Sequence, residues 1–156
     1  MYVFDTNIFR YLDNMYPKRF TSLWQHLDKL VAEKRLWSVK EVFNEIEYVC
    51  QSSHVADWAK NNRTIFRKPQ STEEYKIIME IFKYPQYRDF IRKEHLLKGY
   101  PVADPFIIAS AKVNNAFVVT QEKLVKNGAR IPNACLVLET QCINMEQFLE
   151  REKLEF

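Results

Sequence analysis

Glycine is nearly missing from this chain. Only Gly99 and Gly128 occur, too far apart for either GxGxxG or GxxxxGK[ST], so a Rossmann dinucleotide site and a Walker ATPase are excluded. An all-β sandwich, with its many tight turns, is disfavoured for the same reason. Cysteine is scarce as well. Cys50, Cys135 and Cys142 are odd in number and show no CxxC spacing, which suits free or buried thiols rather than a disulfide frame or a zinc knot. No apolar run reaches the ~18–20 residues of a membrane span, and the chain enters a strand-like run at Tyr2 with no leader pattern before it. A cytoplasmic protein is expected. Charge of one sign is not in large excess: Lys+Arg 23 against Asp+Glu 20 gives +3, compatible with a nucleic-acid partner without demanding one.

What is present is an ordinary globular composition, 47% hydrophobic and 28% charged over 156 residues, enough for one domain over 1–156 with its own core. Tyr2-Val3-Phe4 reads as a buried strand that ends at Asp5, with Thr6 and Asn7 as capping residues behind it. A helix follows from about Thr21 to Lys34, with Leu23, Trp24, Leu27, Leu30 and Val31 at three- and four-residue steps. Leu36–Val39 reads as a strand, Lys40–Gln51 as a helix, and Ser53–Asn62 as another. Ser71 or Thr72 followed by Glu73-Glu74 opens a helical hairpin at about 71–97, broken at Pro85. Asp104-Pro105 opens the next helix, with the acid expected at the N-cap. Ala116–Thr120 reads as a strand, Cys135–Leu138 as a fourth, and Met145 to about Glu152 as a closing helix. Strands alternating with helices predict an α/β fold: a three-layer α/β/α arrangement around a short, mostly parallel four- or five-stranded sheet.

Ligands of such sheets lie beyond the carboxyl ends of the strands. Asp5 falls there, as does Glu122, just past the Ala116–Thr120 strand. Asp104 starts a helix at that edge, and Glu45 sits on the helix after the second strand. Each has a bland alternative, a cap for Asp104 and a solvated helix face for Glu45. Glu41, one turn before Glu45, is its rival. Together the acids form a cluster that calls for a divalent cation. Hard oxygen ligands without His or Cys select Mg²⁺ or Mn²⁺ over zinc. His26, His54 and His95 share no metal spacing.

Four segments carry a family resemblance. Val3-Phe4-Asp5-Thr6-Asn7 resembles the opening block of a PIN-domain nuclease. Ser38-Val39 through Asn44-Glu45 resembles the second block, Ala103–Ala111 the third, and Phe117–Glu122 the fourth, all in order along the whole chain. The resemblance is nearest to the small VapC-type toxins of prokaryotic toxin–antitoxin pairs. It implies a PIN-like fold and a Mg²⁺- or Mn²⁺-dependent endoribonuclease. Asp5, Glu45, Asp104 and Glu122 would be metal ligands and catalytic residues. The implied partners are an RNA substrate, a cognate antitoxin protein and a second copy in a homodimer. Asn7 and Thr6 would orient Asp5 or a phosphate, with helix capping as the alternative; Thr120 would be a supporting hydroxyl. Arg88 and Arg92, four residues apart on one helix face, would contact RNA phosphates, or else form a solvated face. Two departures stand out: Glu122 replaces the usual Asp, and Lys123-Leu124 follow where a further acid is common. They leave room for a PIN-like module without catalysis, binding RNA or acting as a scaffold, and for a DNA structure-specific nuclease.

Overall fold

The computed structural model describes residues 1–88 and 102–154. Five short strands, β1 (Tyr2–Phe4), β2 (Leu36–Val39), β3 (Phe66–Arg67), β4 (Phe117–Val119) and β5 (Cys142–Ile143), form one sheet in the order β3-β2-β1-β4-β5. Every neighbouring pair is parallel. Parallel neighbours need crossovers, and helices supply them: α1 (Thr6–Leu12), α2 (Thr21–Ala32), α3 (Lys40–Val49), α4 (His54–Asn61), α5 (Thr72–Lys83), α6 (Pro85–Arg88), α7 (Asp104–Val113), α8 (Ile131–Val137) and α9 (Met145–Arg151). The strands β1 and β2 are buried along their whole length, as a sheet covered on both faces requires.

Side-chain alternation assigns the two covering layers. Val3 pairs with Trp37, and the Trp37 indole donates to Ser110 Oγ of α7 at 3.0 Å, so this face carries α7 with α5 packed on it. Tyr2 and Phe4 point the other way. Both meet the Phe148 ring of α9 edge-on, at 4.9 and 5.1 Å, and Phe4 also meets Phe9 of α1 at 5.9 Å. The α/β/α expectation holds in this arrangement, with five strands.

Glu152, just past α9, closes the end of the sheet opposite to the strand carboxyl termini. Its carboxylate accepts from the Tyr2 hydroxyl at 2.6 Å, from Arg35 at 2.7 Å and is paired with His26 Nε2 at 2.9 Å. These partners hold the Glu152 carboxyl below its ordinary range despite the opposing effect of burial.

Three expectations need correction. Cys135–Leu138 is not a strand: its residues belong to α8 and the turn after it. The buried positions Ile131, Ala134, Cys135 and Leu138 repeat at helical spacing, Pro132 sits in the first turn, and Leu136 and Val137 are exposed. An apolar run of four conceals that period. The strand beside β4 is instead Cys142–Ile143. Asp104 does not cap α7; Ala103 occupies the N-cap and Asp104 is the first helical residue. The edge strand β3 was not anticipated, since its two residues follow a 3-10 turn at Arg63–Ile65 and leave no alternation to read. Of the hairpin at about 71–97, α5 and α6 are described, with Ser71 Oγ capping Glu74 N–H at 3.2 Å; Arg88 ends α6, and Arg92 lies outside the described residues. No helix among the described residues is long and apolar enough to cross a membrane.

Phe148 is fully buried between layers, so Phe148→Ala is expected to cost about 3–5 kcal/mol of folding stability. Urea unfolding measures this; a loss below about 1 kcal/mol would contradict the packing described.

Candidate active site

The chain order sets the location. From β1 the connections run outward through β2 to β3, then return to place β4 on the opposite side of β1. The order reverses between β1 and β4, and a parallel sheet opens a crevice beyond the strand ends at such a point. Asp5 follows β1 directly and Thr120 follows β4.

Asp5 is the N-cap of α1 and is buried, 5% exposed. Its Oδ1 accepts from Thr6 N–H at 2.6 Å and its Oδ2 from the Thr120 hydroxyl at 2.8 Å. Burial nevertheless pushes the Asp5 carboxyl up to about 7, with the negative charges of Glu122 and Glu45 adding to the rise and the Thr120 and Thr6 hydrogen bonds opposing it. A carboxyl raised in this way, at a switch point, is a functional-site signature.

Thr120, 1% exposed, is the hub. Its single proton goes to Asp5, the charged acceptor. Its oxygen then accepts from Asn7 Nδ2 at 3.0 Å and from Glu122 N–H at 3.1 Å. Asn7 Oδ1 in turn accepts from Gln121 N–H at 2.8 Å. The Asn7 amide therefore ties the first turn of α1 to the end of β4, through Thr120 rather than through Asp5 itself. Thr6 donates its hydroxyl to Glu45 Oε2 at 2.5 Å, which turns Glu45 of α3 toward α1. This partnership carries no sequence signal beyond the adjacency of Thr6 to Asp5.

The remaining acids sit as follows. Glu122 Oε2 accepts from Ile131 N–H at 2.8 Å, closing the 121–130 loop onto the start of α8; the extra methylene of Glu over Asp gives the side chain that reach. Asp104 is half-buried and contributes, with Glu122, to the negative field felt by the Cys135 thiol. Glu41, the rival of Glu45, has its Oε2 buried without a hydrogen bond among the described residues, and burial raises its carboxyl. Two of the basic residues near β3 are engaged on aromatic faces, Arg67 over Trp37 at 4.4 Å and Arg63 over Phe43 at 4.8 Å.

The donor set suits a hard divalent cation in its chemistry: carboxylates without imidazole, around an acid whose proton affinity is raised by its neighbours. As the side chains stand, no three His, Cys, Asp or Glu groups among the described residues close around a common point. Asp5 is held by Thr120, and Glu122 by Ile131.

The chain belongs to the DUF4411 family, a domain of unknown function, whose profile matches residues 2–156. No curated protein matches it. Among the solved structures that align with it are the following two. PAE2754 from Pyrobaculum aerophilum does so at 14% identity and TM-score 0.46, over 96% of this chain and 94% of that one. VapBC2 from Rickettsia felis, bound to a DNA fragment from its promoter, does so at 19% identity and TM-score 0.46, over 92% of this chain and 97% of that one. Likeness at this level leaves the functional reading to the site.

The raised Asp5 carboxyl gives a signed prediction. Its folded value, about 7, lies above the unfolded value of ~3.9. The native state therefore binds more protons between those values, and stability from this group falls as pH rises through that window. The metal-free Asp5→Asn protein is expected to be more stable than wild type at roughly pH 8, by an amount on the order of a few kcal/mol, and the gap should close toward roughly pH 4. Thermal unfolding across pH measures it; a variant less stable than wild type at high pH would refute the assignment.

Proposed function

We infer that this chain is a divalent-metal-dependent endoribonuclease of PIN type, acting as the toxin of a toxin–antitoxin pair. The observation that carries the reading is the buried Asp5 carboxyl at the β1/β4 reversal, raised by burial and by the charges of Glu122 and Glu45. Three of the four sequence blocks that resemble PIN nucleases supply these residues, and the other supplies Asp104.

Asp5, Glu45, Asp104 and Glu122 would hold Mg²⁺ or Mn²⁺. When bound, such an ion supplies an activated water for in-line attack on a phosphodiester and charge for the leaving oxygen. The chain's own residues do the positioning. Thr120 fixes the Asp5 oxygens against rotation, Asn7 fixes Thr120, and Thr6 keeps Glu45 turned to the same crevice. Glu122 would join the ligands in place of its present contact with Ile131 N–H. Arg88 and Arg92 are proposed to steady the RNA backbone, a sequence-independent and salt-sensitive contribution. The cognate antitoxin and a second copy in a homodimer are the proposed protein partners.

One observation favours a second reading. Glu122 already serves as the backbone acceptor for Ile131, a structural duty sufficient by itself to retain it. On that reading the chain is a PIN-like RNA-binding or scaffolding module that needs no metal.

Cleavage of total cellular RNA with Mn²⁺ or Mg²⁺ separates the two. Wild type is expected to cut, Asp5→Asn to lose more than about 100-fold, and Thr120→Val, which keeps every carboxylate, to lose about 10–100-fold. RNA retained without cleavage, and equally by wild type and Asp5→Asn, would select the module. Cutting confined to branched or flapped DNA would select a DNA nuclease.

A further inference from the structure

The three thiols of the chain are not equivalent. Cys50 is buried beside Asp13 and Arg10. Cys135 of α8 and Cys142 of β5 lie together, near enough that each shifts the other's thiol. The backbone enforces the meeting. Thr140 N–H donates to the Cys135 carbonyl at 2.8 Å, which turns the chain back after α8. The β4–β5 register then sets Cys142 beside Val118. Both thiols line a cavity of about 430 Å³ that also takes in Thr120, Glu122 and Leu136. Cys135 is 1% exposed, whereas Cys142 is only partly buried.

We propose that Cys135 and Cys142 are a reversible dithiol–disulfide site, oxidised by small peroxides that enter through this cavity.

Both side chains line one cavity on backbone held by a turn and a strand pairing, the fixed approach that a disulfide needs. The roles divide by environment. Cys135 is closed off from solvent, whereas Cys142 is only partly buried and is reached from the cavity. Cys142 is the thiolate that attacks. Its sulfur takes one peroxide oxygen, the O–O bond breaks, and the other oxygen leaves as water after protonation. Cys135 sulfur then displaces the hydroxyl of the Cys142 sulfenic acid, the S–O bond breaks, and a second water leaves. Two thiols become one disulfide and one peroxide becomes two waters. A small dithiol reverses the step by exchange.

The bridge would tie α8 to β5. Glu122 holds the first N–H of α8, and Thr120 N–H donates to Ile143 of β5 at 3.0 Å. The redox state of the pair is thus placed next to the acidic crevice, and the thiol chemistry stands whether or not those acids bind a metal.

The test is peroxide treatment of the reduced full chain, followed by denaturing alkylation and intact mass. Alkylatable thiols are expected to fall from three to one, Cys50 remaining, with a peptide cross-link joining Cys135 to Cys142 and recovery of all three after dithiothreitol. In Cys135→Ser, a sulfenic-acid trap should label Cys142, a readout that needs no bridge. Three thiols still alkylatable at a peroxide excess that oxidises glutathione would overturn the proposal. So would a cross-link through Cys50, or label on Cys135 rather than Cys142 in the matching single variants.

Discussion

The contact between the Thr120 hydroxyl and Asp5 Oδ2 joins the two halves of this fold at the point where they diverge. Asp5 belongs to the half that runs out through β2 and β3, and Thr120 to the half that returns through β4 and β5. The strands on either side are three residues long, so the ladder alone fixes the crevice loosely. The Thr120–Asp5 hydrogen bond closes the seam, and Asn7 and Glu122 N–H are arranged around the same hydroxyl oxygen. The seam is also where a carboxyl is buried, which raises its proton affinity. Stability and chemistry are set against each other at one atom, as functional sites commonly show.

The carboxylates are organised by neutral donors. Thr6, Thr120 and the backbone N–H of Ile131 each hold one acid, and among the described residues no Lys or Arg is paired with Asp5. Hydrogen bonds from neutral donors orient a carboxylate without cancelling its charge. The field of these acids reaches the thiol pair beneath the crevice, where Cys135 and Cys142 differ in burial and in proton affinity.

Much of this was readable in the residues. Tyr2–Phe4 and Ala116–Thr120 are apolar, β-rich and short, and each is stopped by a polar residue; the first such stop is Asp5. The acids could be placed at one sheet edge because parallel strands all end there. What was not readable depended on tertiary partners. The Ile131–Leu138 segment shows a strand-like run until its exposed positions are known. Glu122 looks like a displaced Asp until Ile131 N–H is seen at its carboxylate. Thr6 is one of several hydroxyls until Glu45 is brought across from α3. Cys135 and Cys142 have no motif spacing because the turn at Thr140, rather than the sequence interval, brings them together. Glu41 and Glu45 lie one turn apart on a helix, and only the docking of α3 on α1 separates their roles.

The most direct measurement is calorimetric titration of Mn²⁺ into the metal-free protein near neutral pH, in buffers of different ionisation enthalpy. Asp5 is close to half-protonated there, so binding should be saturable and release protons, since a ligating carboxylate must lose its own. Asp5→Asn should abolish both signals. Absence of saturable binding, or binding with unchanged proton release in Asp5→Asn, would contradict a metal site at the β1/β4 reversal.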